Sequence, residues 1–362
     1  MISNNGPSLH LGTYLGIPVK VHWSFSLLLL FIGYLAYSRQ IPTSETGWFF
    51  LYVLMLFIFV VLHEYGHALA ARRYGIATRD IILSPIGGIA RLEKLPEKPS
   101  HELVVALAGP AVNVILSIFF LVIQLISSDV IIPSSEQLIF GSFSDFLGYL
   151  LLINVVLVIF NMLPAYPMDG GRVLRALLTM FFGDRMTATK WAVRIGQLMA
   201  LIFIGIGWYY NMYMLLLIGM FVFLTARFEY RQMKLSKVMR ETSVSDVLRT
   251  EYTILKDTDL IEKAISINGE HNFLVADDSE NVVGSLPNSF IRHAKKNKMT
   301  DQTIKSVMSK TIGRIEEEMN LAQTFDQLNK NGWSIATVYD SAGNKKGVVD
   351  RQLLIEFINK NR

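Results

Sequence analysis

Five long apolar runs without a charged side chain occupy the first 230 residues of this 362-residue chain. They cover residues 21–38, 46–62, 103–128, 146–168 and 195–226. A helix that crosses a hydrocarbon core of about 30 Å needs roughly 20 mostly apolar residues, so these runs predict membrane-spanning helices. The last run has 32 residues and would extend about 48 Å as one helix, so we expect it to turn back near residues 208–212. The sequence therefore predicts about six transmembrane helices.

Basic side chains are concentrated in alternate connections between these runs. Lys and Arg residues in short loops are retained on the cytoplasmic side of a membrane. Three clusters follow the second, fourth and sixth spans: Arg72, Arg73, Arg79, Arg91, Lys94 and Lys98; Arg172, Arg175, Arg185, Lys190 and Arg194; Arg227, Arg231, Lys234 and Lys237. The opposite connections hold only Arg39. We therefore predict a multi-pass protein of the cell membrane, surrounded by lipid, with both termini cytoplasmic and no cleavable signal peptide.

The composition changes along the chain, and this change predicts two domains. The first part is strongly apolar, whereas the last 120 residues or so have the composition of an ordinary soluble α/β domain. We therefore predict a membrane domain at residues 1–235 and a cytoplasmic domain at residues 236–362. Because most basic residues of the first part lie beside apolar segments, we interpret the net charge of +4 as membrane orientation and expect no nucleic-acid partner.

Ionisable side chains at membrane depth are costly and mark functional sites by default. The apolar runs and their ends contain His22, His63, Glu64, His67 and Asp169. His63, Glu64 and His67 form the motif HEYGH on a predicted helix from Thr46 to about Tyr74. Two histidines one helical turn apart can bind a single zinc ion, and the glutamate beside them can act on metal-bound water. The chain has no cysteine, so any metal must be held by His, Asp, Glu or Asn.

A catalytic zinc usually has three protein ligands and one open position, and Asp169 is the best third ligand. It lies in NMLPAYPMDGG, residues 161–171, where two prolines and two glycines interrupt the helix. Irregular backbone at membrane depth is tolerated where it is buried in protein or lines a wet cavity, as hydrolysis requires. The alternatives are a chance HExxH match and a helix-end acid at the interface. Beside Trp23, His22 is interpreted as an interface residue, not a ligand.

Four segments together resemble the site-2 protease family of intramembrane zinc metalloproteases, peptidase family M50. HEYGHALAARRYGI resembles the metal-binding helix of this family, and NMLPAYPMDGGRVLRA resembles its second motif. SPIGGIARLE at residues 84–93 and AGPAVN at residues 108–113 are similar to two supporting segments. The resemblance implies one zinc per chain held by His63, His67 and Asp169, with Glu64 as general base. It also implies that Asn161 holds the substrate or its oxyanion.

The resemblance further implies a substrate that is a membrane protein with a single transmembrane span, cut in or near that span. A transmembrane helix hides its carbonyl groups in its own hydrogen bonds, so it must unwind before cleavage. Residues 84–91, with Gly87 and Gly88, could receive the unwound segment by strand addition or could form a hairpin that merely packs. The sequence leaves these two alternatives open. Pro164 and Pro167 are candidates for shaping the same cleft.

An internal repeat of roughly 60 residues occupies the C-terminal part, at about residues 240–299 and 300–362. VSDVL at residues 244–248 matches IKSVM at residues 304–308, and residues 271–284 match residues 333–349. Each half predicts helix, strand, turn, strand and helix, and the pair resembles a tandem CBS domain. Such modules often bind adenine nucleotides. We expect this module to regulate the enzyme or to dock substrate, and it is also a candidate surface for a homodimer.

Two departures from the nucleotide-binding CBS motif speak against ATP or AMP here. Pro287 and Asp350 stand where a hydroxyl would contact phosphate, and Phe290 and Leu353 stand where an acid would hold the ribose. Asp350 would also repel a phosphate group. We therefore favour a structural or partner-binding module without nucleotide.

Two other functions remain compatible with parts of this pattern. Intramembrane His and Asp residues also mark ion pathways, so a CBS-regulated metal transporter is one alternative. A non-cleaving pseudoprotease that binds membrane proteins is the other. Glu64 argues against a transporter because transport needs no base beside the ligands, and the intact HEYGH and Asp169 argue against a pseudoprotease. The prediction is an intramembrane zinc endopeptidase that carries out regulated intramembrane proteolysis.

Overall fold

The computed structural model describes residues 8–38, 43–85, 87–127, 143–267 and 272–360. The chain divides into two compact units, Met1–Tyr230 and Arg231–Arg362. This division lies close to the predicted domain boundary at residue 235. Each unit is described by itself below.

Seven helices begin among the described residues of the first unit. They are α1 (Phe25–Ser38), α2 (Thr43–Arg73), α3 (Pro99–Ile126), α4 (Phe143–Asn161), α5 (Asp169–Phe182), α6 (Arg185–Tyr209) and α7 (Tyr213–Glu241). Within the described residues, α2, α3, α4, α6 and α7 are long and apolar enough to cross a membrane. The chain turns at residues 210–212 between α6 and α7, which confirms the predicted hairpin. The protein is a multi-span α-helical membrane protein.

Four strands of the first unit form one mixed sheet in the order β1–β2–β3–β4. They are β1 (Ser8–Tyr14), β2 (Ile17–His22), β3 (Thr78–Ser84) and β4 (Gly87–Leu92). β2 and β3 pair in parallel, so the chain before α1 lies beside the chain after α2. The buried carboxylate of Asp80 on β3 accepts hydrogen bonds from Lys20 on β2 and Arg91 on β4. This carboxylate therefore ties three strands together, and β4 ends the sheet.

The first predicted span is wrong at its beginning. We expected membrane helix from Val21, but Val21 and His22 end β2 and α1 starts at Phe25. Alternating apolar and polar residues from Ile17 to His22 give this stretch the two-residue period of a strand. α1 has 14 residues and extends only about 21 Å, which is less than a hydrocarbon core of about 30 Å.

Close contact between α2 and α3 depends on two glycines. A Cβ atom on Gly66 of α2 would lie 2.5 Å from the carbonyl oxygen of Ala108 on α3. A Cβ atom on Gly109 of α3 would lie 2.2 Å from Nε2 of His67 on α2. Real Cβ atoms do not approach other atoms so closely, so each position requires glycine. These contacts place the backbone of α3 directly against the histidine face of α2.

The segment between α4 and α5 is irregular, as its prolines and glycines predict. α4 ends at Asn161, and α5 begins at Asp169. Gly170 and Gly171 in the first turn of α5 pack against the backbone of this segment. An added Cβ atom on Gly170 would lie 2.3 Å from the carbonyl oxygen of Leu163, and one on Gly171 would lie 2.8 Å from the carbonyl carbon of Ala165. The paired glycines therefore let the start of α5 fold against the preceding loop.

The second unit contains two α/β repeats of the same order. The first has β5 (Ile254–Lys256), α8 (Ile261–Ser266), β6 (Phe273–Ala276), β7 (Val282–Leu286) and α9 (Asn288–Lys296). After α10 (Ile304–Val307), the second has β8 (Gly313–Glu316), α11 (Leu321–Lys330), β9 (Ile335–Tyr339), β10 (Lys345–Asp350) and α12 (Arg351–Lys360). In each three-stranded sheet the first two strands are parallel and the last two antiparallel. The predicted repeat, with helix, strand, turn, strand and helix in each half, is confirmed.

Candidate metal centre

His63 and His67 face α3 from adjacent turns of α2. Both side chains are buried, with 5% and 4% exposure. Their Nε2 atoms lie 3.1 Å apart, directly opposite Gly109. Because Gly109 has no side chain, both imidazoles fit between the two helix backbones.

Asp169 completes a group of three. It is the first residue of α5, it is 7% exposed, and its Oδ2 atom lies 3.1 Å from each histidine Nε2 atom. The three atoms therefore form a nearly equilateral triangle. Tetrahedral zinc with bonds of about 2.0 to 2.1 Å places its ligand atoms about 3.3 Å apart, so this triangle fits one zinc ion that keeps a further position open. The structure thus brings together the three ligands predicted from the sequence.

Hydrogen bonds on the far side of each imidazole leave both Nε2 atoms available. Nδ1 of His67 lies 2.7 Å from the carbonyl oxygen of Val105, which can only accept, so this nitrogen donates. Nδ1 of His63 lies 2.6 Å from Oδ1 of Asn113. Partners of this kind fix the orientation and the tautomer of metal-binding histidines. Asn113 lies in the AGPAVN segment, and no local sequence pattern predicts its contact with His63.

Glu64 follows His63 on α2 and contacts strand β4. Its Oε2 atom accepts a hydrogen bond of 2.8 Å from the backbone N–H of Ala90 on β4, and the side chain is half-buried. A Cβ atom on Gly88 would lie 2.9 Å from Cγ of Glu64. Strand β4 therefore packs directly against Glu64, which places the predicted base and the predicted substrate strand side by side.

Asn161 and His22 lie outside this triangle. Asn161 is the half-buried last residue of α4, and its amide takes part in none of the side-chain hydrogen bonds between described residues. His22 hydrogen bonds to Oγ of Ser24 at 2.7 Å, and its ring lies 5.8 Å from the ring of Trp23. These contacts agree with the interpretation of His22 as an interface residue.

A buried ion pair joins the helix of Asp169 to α3. Arg175 on α5 has no exposed surface, and its Nε atom donates to Oε1 of Glu102 on α3 at 2.8 Å. The sequence pattern predicts Arg175 as one of the basic loop residues that orient the chain, but this residue lies within α5 and is buried, and the pattern does not mark Glu102. Glu102 lies in the first turn of α3 and Arg175 in the middle of α5, and the sequence does not distinguish a solvated charge from a buried one at either position. The pair anchors α5, which begins with Asp169.

Comparison with known proteins agrees with this geometry. The profile of peptidase family M50 matches residues 51–129 and 124–203, which extend from within α2 to within α6. A zinc metalloprotease of Methanocaldococcus jannaschii is 32% identical over 266 residues, which cover 74% of this chain and 73% of that protein.

Two solved structures are similar to the two parts of the chain. The site-2 protease from Methanocaldococcus jannaschii is 35% identical and covers 62% of this chain and 95% of that chain, with a TM-score of 0.46. A hemolysin-like protein containing a CBS domain, from Oenococcus oeni, is 20% identical and covers 34% of this chain and 95% of that chain, with a TM-score of 0.30. On the family profile and the extent of the match to the zinc metalloprotease, this chain belongs to peptidase family M50 and is a zinc metalloendopeptidase of the site-2 protease type.

Proposed function

We propose that His63, His67 and Asp169 hold the catalytic zinc ion and that Glu64 is the general base for hydrolysis of peptide bonds in or near transmembrane segments. The observation that supports this most directly is the buried triangle of three ligand atoms at 3.1 Å, beside a glutamate on the same helix. Two histidines and a carboxylate are rarely buried together at membrane depth unless they have a function there.

The chain supplies the proton transfers and the positioning. When bound, zinc polarises the scissile carbonyl group and lowers the pKa of a water ligand to about 7. The carboxylate of Glu64 accepts a proton from the attacking water and later gives it to the leaving amine. The backbone N–H of Ala90 holds one oxygen of this carboxylate and leaves the other for the proton. The amide of Asn161, which has no other hydrogen-bond partner among the described residues, is the proposed donor to the oxyanion.

Strand β4 is the proposed docking edge for the unwound substrate. It pairs with β3 on one side only. The N–H of Ala90 donates to Glu64 and therefore points away from β3. In an antiparallel pair, the backbone groups of successive residues point alternately towards and away from the partner strand. The N–H and C=O groups of Gly88, two residues earlier, therefore also point away from β3. A substrate strand added at this edge would lie next to Glu64. Its backbone would then be extended where hydrolysis takes place.

The second unit is proposed to regulate the protease or to dock its substrate without adenine nucleotide. The carboxylate of Asp350 is buried and accepts hydrogen bonds from Asn272 Nδ2 and from the N–H of Leu353. A carboxylate at the position where the CBS motif has a phosphate-binding hydroxyl would repel a phosphate group. A cleft of about 790 Å³ between the repeats is lined by Arg292, Lys295 and Arg351, among others. These cationic side chains would attract an acidic segment of a partner.

The remaining proposals concern the setting of the enzyme. We propose domains at residues 1–235 and 236–362, a location in the cell membrane with both termini in the cytoplasm, and lipid and single-span membrane proteins as its surroundings and substrates. A homodimer through the second unit is also proposed. Release of a cytoplasmic fragment from such substrates would be regulated intramembrane proteolysis.

Cleavage by the purified full chain tests these roles. We would incubate the wild type, Glu64→Gln and the control Glu93→Gln with a panel of single-span membrane proteins and would measure zinc content alongside. Glu93 is an exposed acid just after β4. Glu64→Gln should retain about one zinc per chain but cleave about 10²- to 10⁴-fold more slowly, whereas Glu93→Gln should match the wild type. Cleavage by Glu64→Gln at the wild-type rate would contradict the assigned base, and a wild type without zinc would contradict the ligands.

A further inference from the structure

Two buried asparagines connect His63 to the backbone of a neighbouring helix. Asn113 on α3 and Asn154 on α4 have no exposed surface. Oδ1 of Asn113 lies 2.6 Å from His63 Nδ1, and Nδ2 of Asn113 donates to Oδ1 of Asn154 at 2.9 Å. Nδ2 of Asn154 donates to the carbonyl oxygen of Leu150 at 2.8 Å. The three bonds form one continuous chain across α2, α3 and α4.

The carbonyl group at the end of this chain sets the direction of every bond in it. A carbonyl oxygen can only accept, so Asn154 must present its NH₂ group to Leu150 and its oxygen to Asn113. Asn113 must then present its NH₂ group to Asn154 and its oxygen to His63. An oxygen without a hydrogen requires a donor, so Nδ1 of His63 carries the proton. The lone pair of its Nε2 atom is consequently left on the side of Asp169.

A single hydrogen bond holds His67 in the same tautomer. Its Nδ1 atom donates directly to the carbonyl oxygen of Val105. A backbone carbonyl needs no further support because its oxygen cannot be exchanged for a donor. An asparagine amide can rotate by half a turn and exchange its oxygen for its NH₂ group, so Asn113 fixes the tautomer of His63 only if its own orientation is fixed. Asn154 supplies that constraint.

We propose that Asn113 and Asn154 are positioning residues that hold His63 in the tautomer that binds metal through Nε2. This inference rests on the proposed role of His63 as a ligand. Asn113 contacts the ligand, whereas Asn154 contacts neither the ligand nor the metal triangle. The ordinary role for such a pair is a weak hydrogen bond that holds two membrane helices together. The two roles differ in whether a change at Asn154 reaches the metal.

Zinc affinity by chelator competition, in purified full-length protein, separates the two roles. We would compare the wild type with Asn113→Leu, Asn154→Leu, Asn113→Asp and the double variant Asn113→Asp/Asn154→Leu. Ser117→Ala is a matched control, because its hydroxyl group donates to the Asn113 carbonyl oxygen, one turn along α3, and takes no part in the chain of amide hydrogen bonds. The visible spectrum of the cobalt-substituted proteins would report the coordination geometry independently of affinity. Only the monodisperse fraction of each variant would be measured, so that misfolded protein does not contribute.

Asn113→Leu should lower zinc affinity about 10- to 100-fold, as loss of such a supporting bond does in other metal sites. Asn154→Leu should lower it about 3- to 10-fold, because Asn113 can then rotate and favour the wrong tautomer. A carboxylate accepts in either orientation, so Asn113→Asp should bind zinc nearly as the wild type does, and Asn154→Leu should have little further effect in that background. The cobalt spectrum should change in Asn154→Leu and not in Ser117→Ala.

Two results would overturn the proposal while leaving the ligand assignment intact. If Asn154→Leu leaves zinc affinity and the cobalt spectrum unchanged, the asparagines only join helices. If Asn154→Leu lowers zinc affinity by the same factor in the wild-type background and in the Asn113→Asp background, its effect does not depend on the orientation of the Asn113 amide. A wild type that binds no zinc would instead contradict the ligand assignment, and the proposal would fail with it.

Discussion

Gly109 is the residue whose contribution to the metal centre is most easily tested. An added Cβ atom would lie 2.2 Å from Nε2 of His67 and 2.7 Å from Nε2 of His63. We therefore expect Gly109→Ala to separate the two ligand atoms and to lower zinc affinity by about 100-fold or more, although alanine is the better helix former. The measurement is zinc content after dialysis against a weak chelator.

Gly205→Ala provides the matched control for this substitution. Gly205 lies in the membrane helix α6, and an added Cβ atom there meets nothing within 4 Å. This variant should bind zinc as the wild type does. Equal zinc binding by both alanine variants would mean that α2 and α3 can separate without cost, and that the close approach at Gly109 does not determine the site.

At the residue scale, the sequence predicts the ligands better than their supports. His63, Glu64 and His67 are recognisable because one helical turn fixes their spacing, and Asp169 because glycine and proline surround it. Asn113 and Asn154 are 41 positions apart, and each is a single polar residue on an apolar helix. Their bond depends on the packing of α3 against α4, which no local pattern contains. The only available signal is that a buried amide in a membrane helix requires a partner.

At the scale of elements, the sheet of the first unit depends on Asp80. Hydrogen bonds from Arg91 and then Lys20 lower the pKa of this buried carboxyl group from 3.8 to about 2. A group whose pKa is lowered by folding stabilises the folded state above its unfolded pKa, and this contribution is lost as the pH falls towards the folded value. Asp80 should therefore contribute about 2 kcal/mol at neutral pH, and this contribution should disappear between about pH 4 and pH 2.

Thermal unfolding of the metal-free wild type and Asp80→Asn, from pH 7 down to pH 2, tests this expectation. Removal of the metal from both proteins keeps the titration of the metal ligands out of the comparison. The asparagine variant should be less stable at pH 7, and the difference from the wild type should vanish near pH 2. Glu93→Gln, which changes an exposed acid beside the same sheet, should show no such difference. A difference between wild type and Asp80→Asn that does not change with pH would show that the ion pairs are not its source.

Elements were predictable where one local property dominates. Apolar runs predict α2, α3, α4, α6 and α7, because length and hydropathy are sufficient for a membrane helix. The beginning of α1 was mistaken because Val21 is apolar in either structure, and only its pairing partners in β1 and β3 decide that it is a strand residue. The edge position of β4 likewise follows from strand order, which single strands do not reveal. Local sequence patterns therefore do not predict which distant strands pair with each other.

At the scale of the whole molecule, strand pairing restricts how the chain crosses the membrane. β2 precedes α1, β3 follows α2, and the two strands are hydrogen bonded to each other in parallel. The segment that contains α1 and α2 therefore leaves the sheet and returns to it. To return to the same sheet, the chain must cross the membrane once in each direction. We therefore expect α1 to cross the membrane, as α2 does, although α1 is shorter than the other spans. This supports an even number of crossings, with both termini on one side.

The absence of cysteine from the sequence allows a direct test of this topology by single-cysteine labelling. Thr13→Cys lies in β1, Tyr210→Cys lies between α6 and α7, and Ser341→Cys lies in the turn between β9 and β10, and all three positions are exposed. In sealed vesicles, an impermeant thiol reagent should label Thr13→Cys and Ser341→Cys from the cytoplasmic side and Tyr210→Cys from the opposite side. All three should react equally after detergent is added. If Thr13→Cys and Ser341→Cys were labelled from opposite sides, the number of crossings between them would be odd and α1 would not cross, which would contradict the pairing of β2 with β3.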